Sequence, residues 1–182
     1  MWTGRRVVLG VSGGIACYKS CTLARRLTEA GAQVDVILTA GAAEIVRPLT
    51  FEALTGRPVL GSLWEPGGAL SHVRLGQAAD LVLVAPATAH LVARMAQGLA
   101  DDYLTTLLLA STAPVLLAPA MNDEMYAHPQ TRANLDRLRA RFGQPAGERA
   151  ALIAGDPARH AENDAAAGPH GHASERRRRT SL

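Results

Sequence analysis

Asn122 follows an apolar run, Pro114 to Leu117, and the turn Ala118-Pro119-Ala120-Met121. Such a run reads as a buried strand, and ligands bind at the carboxyl ends of strands in a parallel α/β sheet. There the carboxamide offers a ligand one carbonyl acceptor and two N–H donors. Asn also ranks high as a helix cap, so ligand contact and capping of the following helix both stand. Gly10-Val11-Ser12-Gly13-Gly14-Ile15 joins an apolar segment to a helical one. Free N–H groups at a helix start cradle anions. The spacing is not G-x-G-x-x-G, so it does not point to a dinucleotide, and a purely structural turn remains an equal reading. Thr39-Ala40-Gly41 leaves a second apolar segment with a hydroxyl and a flexible backbone, a placement that suits a phosphate. His72 reads as a lone loop histidine, ordinarily just exposed. Asp101 and Asp102 precede a helix, where acids complement the dipole; capping is the preferred reading of Asp102.

The elements that must position these residues alternate. Arg5 to Val11, Gln33 to Thr39, Asp80 to Val84 and Pro114 to Leu117 read as strands covered on both faces. Helical patterns occupy residues 15–30, with Gly31 as the cap, and Ala42 to Arg47, stopped by Pro48. Others run over Thr50 to Leu54, from Ala89 to about Gln97, from 102 to Ala110, and from Pro129 to Arg141. Ser71 to Leu75 reads as a connection, like the Gly- and Pro-containing stretch 56–70. Alternation of this kind predicts a Rossmann-like, doubly wound parallel sheet in a single α/β domain over residues 1–143. Residues 144–182, rich in Ala, Gly, Pro, His and Arg, read as a flexible tail.

Bulk properties exclude several classes. At 182 residues and 48% hydrophobic content the chain suffices for one core. No run approaches the ~20 apolar residues of a membrane span. The N-terminal apolar stretch is broken by Ser12, Gly13 and Gly14, unlike a secretory signal, so a cytoplasmic protein without a membrane partner is expected. Cys17 and Cys21 are the only cysteines, too few for a disulfide framework or a metal site. A net charge of +3, an aromatic content of 4% and one basic run, Arg176 to Arg179, argue against nucleic acid.

Taken together, Gly10-Val-Ser-Gly-Gly-Ile-Ala-Cys-Tyr-Lys19, Ser71-His72, Ala85-Pro-Ala-Thr-Ala89, Gly98-Leu-Ala-Asp-Asp102 and Pro119-Ala-Met-Asn-Asp-Glu-Met125 resemble the flavin-containing cysteine decarboxylases. Those enzymes act on phosphopantothenoylcysteine in coenzyme A synthesis or on the C-terminal cysteine of ribosomal peptides. The resemblance implies FMN and a homo-oligomer, a trimer or a dodecamer, with the flavin between subunits. It implies that Ser12, Gly13, Gly14 and Thr39 hold the phosphate and ribityl region. Phe51, Ala85, Pro86, Ala87, Thr88 and Ala89 are then expected to line the isoalloxazine. His72 becomes the active-site histidine, while Asn122, with Met125, meets the substrate and orients its carboxylate. The implied chemistry is coherent. Hydride transfer to flavin turns the cysteine side chain into a thioaldehyde, an electron sink β to the carboxylate, and loss of CO2 leaves an enethiolate. His72 is placed to take the thiol proton.

Three departures shape the expected substrate. His90-Leu91 stands where the family usually has Asn-Thr, and Tyr126 where many members have Trp. No cysteine follows Cys21, whereas the coenzyme A enzyme uses one on a C-terminal flap to return a proton. That absence, and the lack of a fused ligase segment, favour an enethiol product and a peptide ending in cysteine. Phosphopantothenoylcysteine is the alternative, and a non-catalytic flavin-binding interaction subunit a third.

Overall fold

The computed structural model describes residues 2–64 and 70–142; the expected tail lies outside them. Four strands, β1 (Arg6–Val11), β2 (Gln33–Leu38), β3 (Leu81–Ala87) and β4 (Val115–Pro119), form one parallel sheet in the order β2-β1-β3-β4. Strand alternation sends neighbouring residues to opposite faces. Val7, Leu9, Val34, Val36 and Leu83 pack on one side with Ala24 and Phe51, from helices α1 (Lys19–Glu29) and α3 (Pro48–Thr55). Val8, Ile37, Val82 and Val84 pack on the other with residues of four helices: α4 (Ser71–Ala78), α5 (Ala89–Gln97), α6 (Tyr103–Ala110) and α8 (Pro129–Phe142). With both faces covered, the strands carry almost no polar residue. The expected doubly wound α/β architecture is what the chain adopts. The chain winds one way from β1 to β2 and the other way from β1's far side through β3 to β4. The β1/β3 boundary is therefore the switch point where such sheets bind ligands.

Local differences from expectation have local causes. The stretch after β2 is a short helix α2 (Ala40–Ala43), and Pro48 opens α3 rather than only ending what precedes it. A proline at the first helical position costs nothing, because that N–H has no intrahelical partner. His72 lies on α4, not in a loop. Gly76 hid this helix in the sequence, and tertiary packing explains it. A Cβ there would lie 3.2 Å from the Leu107 carbonyl oxygen, so Gly76 lets α4 approach α6 closely while Leu75 enters the core. Strand β3 runs on to Ala87 through a cis Ala85–Pro86 peptide, where its pairing with β4 shifts between Val84 and Ala87. Around that irregularity serine hydroxyls donate to the strand: Ser20 Oγ to the Ala85 carbonyl at 2.6 Å and Ser12 Oγ to the Pro86 carbonyl at 2.7 Å. They keep buried carbonyls satisfied where the ladder changes step.

Candidate functional site

A cavity of about 1080 Å³ opens at the carboxyl ends of the four strands. Its wall takes Ser12, Gly13 and Gly14 from the end of β1, Thr39 to Gly41 from β2, Thr88 to His90 from β3, and Pro119 to Asn122 from β4. A space of that size holds a cofactor-sized ligand.

The Gly-rich turn is shaped by close approach. A Cβ on Gly13 would stand 2.5 Å from the Gly41 carbonyl carbon, and one on Gly14 would meet Thr88 Cγ2 at 2.9 Å. Three strand ends thus converge through glycine backbone. Ser12 is 2% exposed, and its hydroxyl is engaged on both sides. It donates to Pro86 and accepts the Thr88 N–H at 3.0 Å, so it pins β1 to β3 and its one proton does not reach the cavity. Thr39 caps α2, its oxygen accepting the Ala42 N–H at 3.3 Å. That leaves its own hydroxyl proton to offer a ligand. At the opposite end Asn122 caps α7 (Asp123–Ala127): its Oδ1 accepts the N–H of Glu124 at 2.9 Å and of Met125 at 3.4 Å. Capping and ligand contact are not exclusive here. The oxygen makes the cap, and the two Nδ2 donors of this exposed cavity residue are left over. Met125, half exposed, is also on the wall.

Other expected site residues stand elsewhere. Phe51 is fully buried in the core beside β2, and Pro86 and Ala87 are buried in β3. With Ala85, they support the wall from behind and are not part of it. His72 is not on the wall of its own chain's cavity either. It lies half-buried on α4, edge-on to Tyr103 with ring centroids 6.2 Å apart, and its Nδ1 is buried without a partner among the described residues. Tyr103, 2% exposed, donates its hydroxyl to Ser71 Oγ at 2.8 Å and so braces the start of α4. His72 and Asn122 are therefore not brought together within one chain.

One group escaped sequence reasoning. Arg94, on α5, reaches the cavity wall with Asp101 and Asp102. Its guanidinium pairs with Asp102 Oδ2 at 2.8 Å and with Asp101. The i, i+7 and i, i+8 spacing across Gly98 was the available signal. Asp102 also completes a capping box with Thr105, as preferred from the sequence. Burial pushes the Asp102 carboxyl up. The N–H and hydroxyl of Thr105, together with Arg94, outweigh burial and hold it below the usual carboxylate range. Cys17 is buried and Cys21 half-buried near the start of α1, and neither lines the cavity.

The chain spans between about a third and two fifths of the length of the curated relatives it matches. The coenzyme A biosynthesis bifunctional protein CoaBC of Vibrio cholerae is 51% identical over 153 residues, 81% of this chain and 38% of that protein. The protein of the same name from Mycobacterium tuberculosis is 55% identical over 137 residues, 75% of this chain and 33% of that one. Among solved structures, the FMN-dependent cysteine decarboxylase SpaF superposes with a TM-score of 0.75 at 30% identity, covering 92% of this chain and 100% of that one. A PPC decarboxylase variant complexed with pantothenoylaminoethenethiol gives a TM-score of 0.68 at 25% identity, covering 89% and 97%. The family model described as Flavoprotein matches residues 1–161, spanning every strand and the whole cavity wall, and this chain belongs to that family.

Proposed function

We propose that this chain binds FMN at the strand ends and decarboxylates a cysteine carboxylate, with phosphopantothenoylcysteine as the substrate. The observation that carries this reading is the 51% identity to a coenzyme A biosynthesis protein over most of the chain. It moves phosphopantothenoylcysteine ahead of the peptide expected from the departures in the sequence. The cavity fits the cofactor: a Cβ-free approach of Gly13 to Gly41 and the Thr39 hydroxyl make a phosphate cradle. Gly14 belongs to the same cradle, Thr88 and Ala89 to the ring-side wall, and Ser12 pins the cradle to β3. Bound there, FMN supplies the hydride acceptor that makes the cysteine side chain an electron sink for loss of CO2.

On the protein side, the Nδ2 donors of Asn122 hold the substrate carboxylate, beside Met125. His72 takes the thiol proton in the cavity of a second copy, which accounts for its position off its own cavity wall. Exposed Ile15 (83%), Leu49 (71%) and Tyr18 (59%) support a homo-oligomer, a trimer or a multiple of it.

A second reading, a peptide with C-terminal cysteine, is kept because Cys17 and Cys21 stand off the cavity wall, so no thiol among the described wall residues is placed to return a proton to the product. Mass spectrometry of both substrates with the purified, FMN-supplied chain decides between them. Turnover of phosphopantothenoylcysteine is expected, and turnover of the peptides alone would overturn the first reading. The expected product has lost CO2 and two hydrogens, which pass to the flavin and from it to dissolved oxygen, since Cys17 and Cys21, the cysteines of this chain, are off the cavity wall and cannot return a proton to the product. Loss of CO2 alone would show that another acid returns the proton.

A further inference from the structure

We infer that His90, when protonated, supplies the positive countercharge for an anionic ligand in the cavity. The inference rests on the FMN reading, because FMN is the anion considered. The ends of β1 and β2 bring no charged side chain to the wall. Its titratable groups come from the other elements: His90 and Arg94 on α5, Asp101 and Asp102 before α6, and Asp123 and Tyr126 on α7. Arg94 is already matched by Asp101 and Asp102. With His90 neutral, three carboxylates face one guanidinium, and a phosphate, carrying nearly two negative charges near neutral pH, meets a wall of its own sign. His90 is exposed and, among the described wall residues, is the one cation-forming side chain with no ion-pair partner. Its place is also apt. It is the second residue of α5, whose N-terminal end attracts the same anion, although that end works against a positive imidazole until the anion is bound. The start of that helix touches the glycine turn, since a Cβ on Gly14 would lie 2.9 Å from Thr88 Cγ2. Arg94, one turn further on, repels a protonated His90, and its two carboxylates offset that repulsion. Histidine side chains as a class change charge between pH 5 and 8, which sets the two pH values of the test.

The test is the affinity of the full chain, freed of flavin, for added FMN, read from quenching of flavin fluorescence. Wild type, His90→Gln and His90→Arg are titrated at a pH of about 5.5 and about 8. Wild type is expected to bind FMN about fivefold more tightly than His90→Gln at the lower pH and equally at the higher. His90→Arg keeps the advantage at both. Titration of the FMN phosphate and of the aspartates is common to all three proteins and cancels in the ratios. Riboflavin, which lacks the phosphate, is expected to give ratios near one throughout. A wild-type to His90→Gln ratio that does not change with pH overturns the inference, as does the same pH-dependent ratio for riboflavin. Should His90→Gln not fold, the wild-type to His90→Arg ratio decides: parity at low pH and a deficit at high pH support the inference, and a flat ratio ends it. FMN binding with flat ratios leaves the FMN reading standing, whereas no FMN binding by any of the proteins overturns both.

Discussion

Asn122 shows how one side chain serves two purposes through different atoms. Its oxygen caps α7 and its nitrogen is left for a ligand. Asn122→Asp separates the two, because Asp caps as well as Asn but carries oxygens where the donors were. Its unfolding free energy is expected within about 0.5 kcal/mol of wild type. Turnover is expected to fall at least about a hundredfold, since a substrate carboxylate would meet a like charge. Denaturant titration and steady-state rates check the two halves separately. His72→Asn is expected to abolish turnover while the absorption spectrum still shows bound flavin, because His72 is assigned to the substrate thiol and is not on its own chain's cavity wall. Loss of flavin together with activity would reject that assignment.

At the scale of elements, the site is a set of strand ends held in step by small groups. Ser12→Ala removes a donor to a buried carbonyl and an acceptor from the Thr88 N–H. The expected loss is about 1–3 kcal/mol, the cost of leaving buried polar groups unpaired, measurable by urea unfolding. Gly13→Ala forces the β1 turn away from Gly41; the fold is expected to survive, with FMN retention lost on gel filtration. The connection between α5 and α6 has a pH signature. The Asp102 carboxyl is depressed in the folded protein, so its contribution to stability is whole above the unfolded carboxylate value near pH 4. That contribution is lost as pH falls through the folded value. Asp102→Asn can still cap α6 but cannot carry the charge facing Arg94. Between about pH 7 and pH 3 it is expected to lose less stability than wild type in urea unfolding.

For the whole molecule, two features set its assembly and its edge. Strand β2 closes one side of the sheet and places Asp35, 6% exposed, between Arg6 and Arg57 at 2.8 and 2.7 Å. These charges tie β1, β2 and the segment after α3 into one unit. Removing the carboxylate would leave two guanidinium groups facing each other. Several large apolar side chains remain exposed, among them Trp64 and Leu49, with Ile15 and Met125 on the cavity wall. A homo-oligomer is the expected form, and light scattering of the flavin-bound protein is expected to return a trimer or a multiple. A flavin-bound monomer that turns substrate over would reject both the assembly and the placement of His72 in a neighbour's cavity.

The sequence by itself determined the parallel α/β sheet and the loops that carry the site. Buried strands are continuous apolar runs, and a glycine turn, Thr39 and the Pro-Ala-Met-Asn stretch each follow one directly. The pattern is local, so it is legible residue by residue. Only the tertiary structure decided which atoms face the cavity. Ser12 reads as a ligand residue until Pro86 and Thr88 claim its hydroxyl. Phe51 reads as a ring-side contact until β2 and α1 enclose it. Asp101 and Asp102 read as a helix start until Arg94, from the preceding helix, reaches both. Each of these outcomes depends on a partner distant in sequence or on a neighbouring element. Single-residue types and spacings carry no record of such partners, because the packing of the sheet and its helices brings them together.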